Sequence, residues 1–298
     1  MSELTLHGGW YLLAFADQIG AEPTAFDIGG RPLVAVRQEE SVRVFDAACP
    51  HRGAHLGHGG TLARNAIVCP FHGKRIALGD ESCHWYVPEH RVLTAGPLVF
   101  LKLGEGTEDR GFERAIKAVA ADHLIVAAFT REVAVPAEYV VENAFDPDHF
   151  AAVHGIRQVS GRGLDLGPDG ELSIELEFRT KAPPWAARMS ADYATAFSAR
   201  AYSPNVVVSE LASPDGRHVV VTGANPVPGG CVARIAFAVD RDQFAALGPL
   251  IAGGRKAFGQ DVAVWEHLDL TAPVRYDGRD EPVRAFRRFC DGFPAVPR

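Results

Sequence analysis

Two short stretches decide the fold predicted for the N-terminal third of the chain: Cys49-Pro50-His51-Arg52-Gly53 and Cys69-Pro70-Phe71-His72-Gly73. Each supplies one cysteine and one histidine, in the pattern C-x-H, seventeen residues, C-x-x-H. Thiolate and imidazole groups in paired loops can bind zinc or a two-iron cluster. Gly53 and Gly73 directly follow the two ligand pairs and let the backbone turn around a bulky inorganic core. The prolines stiffen both loops.

This pattern resembles the Rieske [2Fe–2S] motif, in which two cysteines bind one iron and two histidines bind the other. The resemblance implies that Cys49, His51, Cys69 and His72 hold a [2Fe–2S] cluster. Histidine ligation raises the reduction potential relative to an all-cysteine cluster, which suits a centre that accepts electrons from a lower-potential carrier. A zinc-binding interaction module is the alternative for the same four residues.

A second group of possible metal ligands lies in the middle of the chain. Asp146 precedes a proline, which is typical of a helix N-cap followed by proline at the first helical position. His149 and His154 are five residues apart, so on a straight helix their side chains would point about 140° apart. The two imidazoles converge only if the helix ends or distorts between them, and Gly155 is a plausible stop.

A later helix, predicted over roughly Arg255 to Leu270, supplies candidates for a third ligand. Its apolar stripe at helical spacing is formed by Phe258, Val262, Trp265 and Leu268. Asp261 falls within that stripe, whereas Glu266 lies about 110° from its centre. A carboxylate on a buried face must be paired or bind a metal, so Asp261 is the predicted ligand, with Asp269 as the next candidate.

The set Asn143, Asp146, His149 and His154 resembles the iron-binding segment of Rieske oxygenases, and the text around Asp261 resembles their distal aspartate segment. The resemblance implies a mononuclear Fe(II) held by His149, His154 and Asp261, with positions left open for dioxygen. It also implies that Asp146 is a catalytic carboxylate that bridges an iron-ligating histidine and a Rieske histidine of the neighbouring subunit. The capping and bridging roles compete for the same oxygens, and the bridge is favoured.

The best local match is to the monooxygenases related to 3-ketosteroid 9α-hydroxylase and cholesterol 7-desaturase. It rests on Glu142 to Pro147, on His149-Phe150 and on Gln260-Asp261. This family implies head-to-tail homotrimers, and an NAD(P)H-dependent flavin reductase, with or without a ferredoxin, as the source of electrons. It also implies an all-β Rieske domain followed by a helix-grip catalytic domain, in which an antiparallel sheet packs against helices.

Strand-like and helical patterns agree with this α+β organisation. We predict a Rieske domain over residues 1–115 and a catalytic domain over 116–298, joined by a charged linker at 102–121. One helix is predicted from near Pro136 towards His154, besides the later one. Strands are predicted at 10–15, 32–36, 42–45, 98–101, 124–129, 171–179, 193–201, 206–211, 218–222 and 232–239.

Composition narrows the function classes. A net charge of −7 argues against nucleic-acid binding. No apolar stretch approaches the roughly 20 residues of a membrane helix. An N-terminus without a signal-peptide pattern and an odd count of 5 cysteines favour a reducing, cytoplasmic location.

We therefore expect an oxygenase component that uses dioxygen and reductase-supplied electrons to oxidise a C–H bond of a small hydrophobic substrate. Monooxygenation is the favoured reaction, while the sequence does not choose among hydroxylation, desaturation, demethylation and ring formation. A polycyclic or natural-product substrate would suit an apolar pocket. Candidate pocket residues are Trp185, Phe197, Val207 and Phe237. The alternative is a Rieske electron-transfer protein fused to a ligand-binding domain without catalytic iron.

Overall fold

The structure is a computed structural model that describes residues 6–104, 106–181, 192–213 and 216–297. The strands are β1 (Gly9–Phe15), β2 (Thr24–Ile28), β3 (Arg31–Gln38), β4 (Ser41–Asp46), β5 (Thr61–Leu62), β6 (Ala66–Val68), β7 (Arg75–Leu78), β8 (Tyr86–Val87), β9 (Glu89–Ala95), β10 (Leu98–Leu103), β11 (Leu124–Val133), β12 (Arg157–Leu166), β13 (Leu172–Lys181), β14 (Asp192–Ser203), β15 (Val206–Ser213), β16 (Gly216–Val227) and β17 (Gly230–Val239). The helices are α1 (Phe112–Asp122), α2 (Ala137–Glu142), α3 (Pro147–Ala152), α4 (Leu247–Trp265) and α5 (Glu281–Asp291).

The first ten strands form two sheets. A six-stranded sheet has the order β1-β10-β9-β4-β3-β2, and a four-stranded sheet has the order β5-β6-β7-β8. The ligand motifs lie in the loops before β5 and between β6 and β7, at one end of the smaller sheet. Buried side chains between the two sheets, among them Phe45, Ile67 and Leu78, form the core that supports these loops.

The C-terminal part is built on a seven-stranded antiparallel sheet with the order β11-β17-β16-β15-β14-β13-β12. Side chains of one face pack with α2, α4 and α5 into the largest buried cluster of the described residues, which includes Phe178, Phe237 and Phe286. This mixed architecture confirms the predicted fold class, an all-β N-terminal part followed by an antiparallel sheet with helices.

The opposite face of this sheet packs against the N-terminal part through β1. Gly223 of β16 lies so close to β1 that an added Cβ would be 2.3 Å from Leu12 Cβ, which explains why only glycine fits there. Ser203 Oγ donates to the Trp10 carbonyl at 2.6 Å, and Asn225 Nδ2 donates to the Leu12 carbonyl at 3.0 Å. With one face covered in this way, the other face is left for α4 and the space beneath it.

The helices differ from the prediction at several points. The segment predicted as a linker, 102–121, contains most of α1, whose Phe112 and Ile116 are fully buried. The prediction of a single helix from Pro136 towards His154 is wrong. Helix α2 passes into a 3₁₀ turn, and the extended backbone of Asp146 interrupts the helix before α3 starts. The later helix begins at Leu247 rather than near Arg255 and ends at Trp265. Leu268 therefore lies outside it and is 42% exposed.

The domain boundary after residue 115 stays a prediction. The change of sheet falls between β10 and β11, and α1 spans residue 115. In the part of the chain that the structure describes, the helices are too short or too polar to cross a membrane.

Candidate metal centres and the adjoining cavity

The two cysteine–histidine loops have matching backbone hydrogen bonds. Gly53 N donates to the Cys49 carbonyl at 2.7 Å, and Gly73 N donates to the Cys69 carbonyl at 3.0 Å. Both glycines adopt positive φ, +72° and +65°, which favours glycine at these turns. Each cysteine N in turn donates to the carbonyl five residues later, at Ala54 and Lys74. The predicted turns are therefore confirmed at both positions.

These loops bring the four predicted ligands together at one tip. Cys49 and Cys69 are 3% and 2% exposed, and the imidazole rings of His51 and His72 lie 4.6 Å apart between centroids. The His51 Nδ1 atom is buried and has no hydrogen-bond partner among the described residues. A buried ring nitrogen without a partner is costly, so this atom fits a metal ligand.

The thiols at this tip are held in different electrostatic surroundings. Burial raises the pKa of Cys49. Burial also acts to raise the pKa of Cys69, but hydrogen bonds from the Phe71 and His72 backbone N–H groups outweigh it and lower that pKa. Such N–H donors stabilise a thiolate, which is the form that binds a metal. The donor set of two thiols and two imidazoles thus fits a Rieske cluster.

Near this tip Lys74 directly follows Gly73. Its ammonium lies 5.0 Å from the centroid of the Trp85 ring. The edge of Trp85 in turn contacts His51, with ring centroids 5.3 Å apart. The Lys74 ammonium therefore makes a cation–π contact with the Trp85 ring.

The second predicted group also converges. His149 lies in α3, which ends at Ala152, and His154 follows the end of the helix, so the 140° separation expected on a straight helix does not apply. Gly155 adopts φ +66°, as a helix stop requires. One ligand atom from each of His149, His154 and Asp261 lies within 4.8 Å of the others, and we call these three residues the iron triad, after the metal predicted for them.

Each imidazole of the iron triad is held through its Nδ1 atom. His149 Nδ1 contacts the Asp146 carbonyl at 2.5 Å, and His154 Nδ1 contacts Gln260 Oε1 at 3.2 Å. With Nδ1–H as donor in both cases, Nε2 is the free ligating atom, and His154 Nε2 lies 3.2 Å from Asp261 Oδ1. Fixing the second ring nitrogen in this way is usual for metal-binding histidines.

Burial and nearby charge together shift the pKa values of the two histidines in opposite directions. Burial lowers the pKa of His149, and Asp261 and the Asp146 carbonyl only partly oppose it. Burial also acts to lower the pKa of His154, but the hydrogen bond and charge of Asp261 outweigh it and raise that pKa. Asp261 itself is only 7% exposed, so a cation at this point would compensate a buried carboxylate.

Asp146 caps α3 with its side chain. Its Oδ1 accepts from Asp148 N at 3.1 Å and from His149 N at 3.3 Å, while its main-chain carbonyl contacts the His149 ring. No hydrogen bond engages Oδ2 in the described part of the chain. The cap therefore engages Oδ1 alone, so a bridge through Oδ2 need not compete with it for the same oxygen.

The iron triad lies at the wall of a cavity of about 890 Å³ between α4 and the seven-stranded sheet. Of the predicted pocket residues, Phe197, Val207 and Phe237 line it, and Trp185 lies outside the described residues. The contact of Gln260 with His154 was not predicted from the sequence. His218 was missed because it precedes an uninterrupted apolar run, Val219-Val220-Val221, in which no alternation indicates the face on which a polar side chain lies.

Comparison with known proteins identifies the N-terminal part. The family model described as Rieske [2Fe-2S] domain matches residues 9–95. Residues 9–95 are a Rieske domain. The cholesterol 7-desaturase nvd of Drosophila melanogaster is 39% identical over 77 residues, which make up 25% of this chain and 18% of that protein. The chain thus matches less than a fifth of the length of this relative.

Solved structures match the chain almost throughout. Dicamba monooxygenase bound to 3,6-dichlorosalicylic acid has a TM-score of 0.76 and 16% identity, with 96% of this chain and 97% of that chain covered. NdmB of Pseudomonas putida CBB5 has a TM-score of 0.68 and 20% identity, with 94% and 89% covered. The fold that follows the Rieske domain is thus shared with these proteins. The matches confirm the predicted resemblance to Rieske-type oxygenases and cholesterol 7-desaturases.

Proposed function

We propose that the chain is the oxygenase component of a Rieske non-haem iron oxygenase system. It would use dioxygen and electrons from a separate NAD(P)H-dependent reductase, directly or through a ferredoxin, to oxidise a C–H bond of a hydrophobic substrate. Monooxygenation is the favoured reaction. The observation that carries the proposal is the convergence of His149, His154 and Asp261 at the wall of a large cavity.

The chemistry of this donor set favours iron. Two imidazoles and one carboxylate are the ligands of non-haem Fe(II) oxygenases, and this arrangement leaves positions open for dioxygen. When bound, the iron would supply dioxygen activation, which no protein side chain provides. The cluster ligands Cys49, His51, Cys69 and His72 would supply the electron-accepting centre.

The protein's own residues would orient the metal ligands and hold the substrate. The Asp146 carbonyl and Gln260 Oε1 fix the tautomers of the two triad histidines. Aromatic walls formed by Phe150, Phe178 and Phe197, whose rings lie 4.8 to 5.3 Å apart, exclude water beside the triad. A water-poor site favours an apolar ligand and protects reactive species from side reactions.

Asp146 is proposed as the bridging carboxylate between the two metal sites, with the Rieske histidine supplied by a neighbouring subunit of a homotrimer. Its Oδ2 is the oxygen not used by the helix cap. Asp146→Asn should keep the cap, because asparagine caps as well as aspartate does. We therefore expect both metals to remain while turnover falls by about 10–100-fold, as is typical when an orienting partner of metal ligands is removed.

The test combines metal analysis with oxygen consumption driven by NAD(P)H and a reductase. Asp148→Asn, which alters an exposed acid two residues away, is the matched control and should turn over normally. Loss of the mononuclear iron in Asp146→Asn would contradict the bridging role.

The alternative electron carrier predicts that nitric oxide gives no Fe(II)–nitrosyl signal in the reduced wild type. The oxygenase predicts such a signal, absent from His149→Ala.

A further inference from the structure

Apart from Asp261, the cavity beside the iron triad is lined by side chains that carry no formal charge. Among its described lining residues, Asp261 is the only acid, and there is no lysine or arginine. A charged group brought into this cavity would lose its hydration without gaining a protein counter-charge. The lining therefore selects an uncharged ligand.

Four hydrogen-bonding side chains of the sheet nevertheless line the cavity, and one of them, Ser213 of β15, donates to the Gly216 carbonyl. Ser209 of β15 and His218 and Thr222 of β16 all line the cavity. Ser209 pairs with Val220, so His218 and Thr222 are its two diagonal neighbours on the same face. His218 and Thr222 therefore each lie within roughly 8 Å of Ser209, one on either side of it. We call these three residues the polar cluster.

The polar cluster has unused hydrogen-bonding capacity. No hydrogen bond engages any of its side chains in the part of the chain that the structure describes. Burial lowers the pKa of His218 to about 4, so its imidazole is neutral at physiological pH and offers one donor and one acceptor. The hydroxyls of Ser209 and Thr222 can do either. Such a cluster suits a hydroxyl or carbonyl oxygen.

The position of the polar cluster relative to the triad follows from α4. The His218 ring lies 6.2 Å from that of Phe237, and Phe237 packs on Gly254, where an added Cβ would be 2.6 Å from its Cζ. Asp261 comes seven residues after Gly254, which is about 10 Å along a helix. A ligand that touches both His218 and the triad must span about this length, as three or four fused rings do.

We propose that the polar cluster recognises the hydroxyl or carbonyl oxygen of an uncharged, elongated, apolar substrate whose other end lies at the iron triad. This inference rests on the proposed function for the identity of that other end. It assigns His218, Ser209 and Thr222 to substrate recognition and sets the distance between the recognised oxygen and the site of oxidation.

The test measures binding of three fluorescent probes with one four-ring frame to the purified whole chain, without reductant. We expect 1-pyrenemethanol to bind at least tenfold more tightly than the anion 1-pyrenecarboxylate. His218→Leu should weaken binding of 1-pyrenemethanol five- to tenfold and leave binding of 1-methylpyrene within twofold. Val220→Ala, on the same strand and face, is the control and should weaken both neutral probes equally.

Equal effects of His218→Leu on the two neutral probes, or equal affinity for alcohol and carboxylate, would overturn the inference. So would failure of 1-pyrenemethanol to bind up to its solubility limit. Ser209→Ala and Thr222→Val are nearly isosteric and provide the same comparison if His218→Leu does not fold. Because no turnover is involved, a chain that shows this selectivity but holds no second iron would refute the proposed function and leave the recognition site standing.

Discussion

Replacing Arg287 with methionine would leave the Glu142 carboxylate without its cation at the contact between α5 and α2. The guanidinium of Arg287 pairs with Glu142 and also lies 4.8 Å from the Tyr139 ring. The two side chains are 33% and 14% exposed. Breaking a fully buried pair costs about 3–5 kcal/mol and an exposed one about 0–1 kcal/mol. For this partly buried pair we expect a loss of about 2–3 kcal/mol in the free energy of unfolding.

The effect should depend on pH in a defined direction. Burial raises the pKa of Glu142 even with Arg287 present, and removing the arginine raises it further. A carboxyl group whose folded pKa exceeds its unfolded value loses stability as pH rises through that interval. The deficit of Arg287→Met should therefore be largest at pH 7 and shrink as the pH approaches about 4.3, the ordinary pKa of glutamate.

Urea unfolding of the variant and the wild type at both pH values measures the deficit. Arg284→Met is the matched control on the same helix, because Arg284 pairs with Glu281 at 3.6 Å with both side chains about half exposed. It should change stability by less than about 0.5 kcal/mol. Adding Glu142→Gln to Arg287→Met should restore part of the loss. A deficit of the same size at both pH values would refute the buried-charge argument.

Two further predictions concern the cavity wall. Because the pKa of His218 falls to about 4 in the folded chain, the stability that its neutral form contributes is complete above its unfolded pKa near 6.5 and is lost as pH falls towards 4. Between pH 7 and pH 4, urea unfolding should show the wild type losing up to about 3 kcal/mol more stability than His218→Leu. Equal losses in the two proteins would contradict the burial of a neutral imidazole. On α4, the Cβ added by Gly253→Ala has no atom within 4 Å, so this variant should raise stability by about 0.5–1 kcal/mol. The Cβ added by Gly254→Ala collides with the Phe237 ring, so this variant should not show that gain. Thermal melting in which both variants gain equally would contradict the close packing of Gly254 on Phe237.

The candidate metal sites could be predicted because their proposed ligands follow local rules. In the Rieske loops each ligand pair lies within four residues, and the turn that joins them closes through its own backbone hydrogen bonds. Asp261 could be singled out because helical periodicity alone places it on the apolar face, and it is buried as that argument requires. These features depend on short sequence separations, which a single sequence records directly.

The parts that were missed depend on long-range contacts or on competing signals. Gln260 meets His154 across 106 residues, and the polar cluster follows from a strand register that alternation cannot fix. The charges of 102–121 hid the amphipathic pattern of α1, since Phe112 and Ile116 are its only buried side chains. The signal for α5 was present in Val283, Phe286, Phe289 and Cys290 at helical spacing behind a proline at the first turn.

The central claim is that one chain holds a Rieske cluster and a separate mononuclear iron. Anaerobic purification followed by iron and acid-labile sulfide analysis tests it most directly, with His149→Ala measured in parallel. The account predicts about three irons and two sulfides per wild-type chain, as one two-iron, two-sulfide cluster plus one mononuclear site requires, and about two irons with unchanged sulfide in the variant. About two irons and two sulfides in both proteins, even after reconstitution with Fe(II), would contradict it.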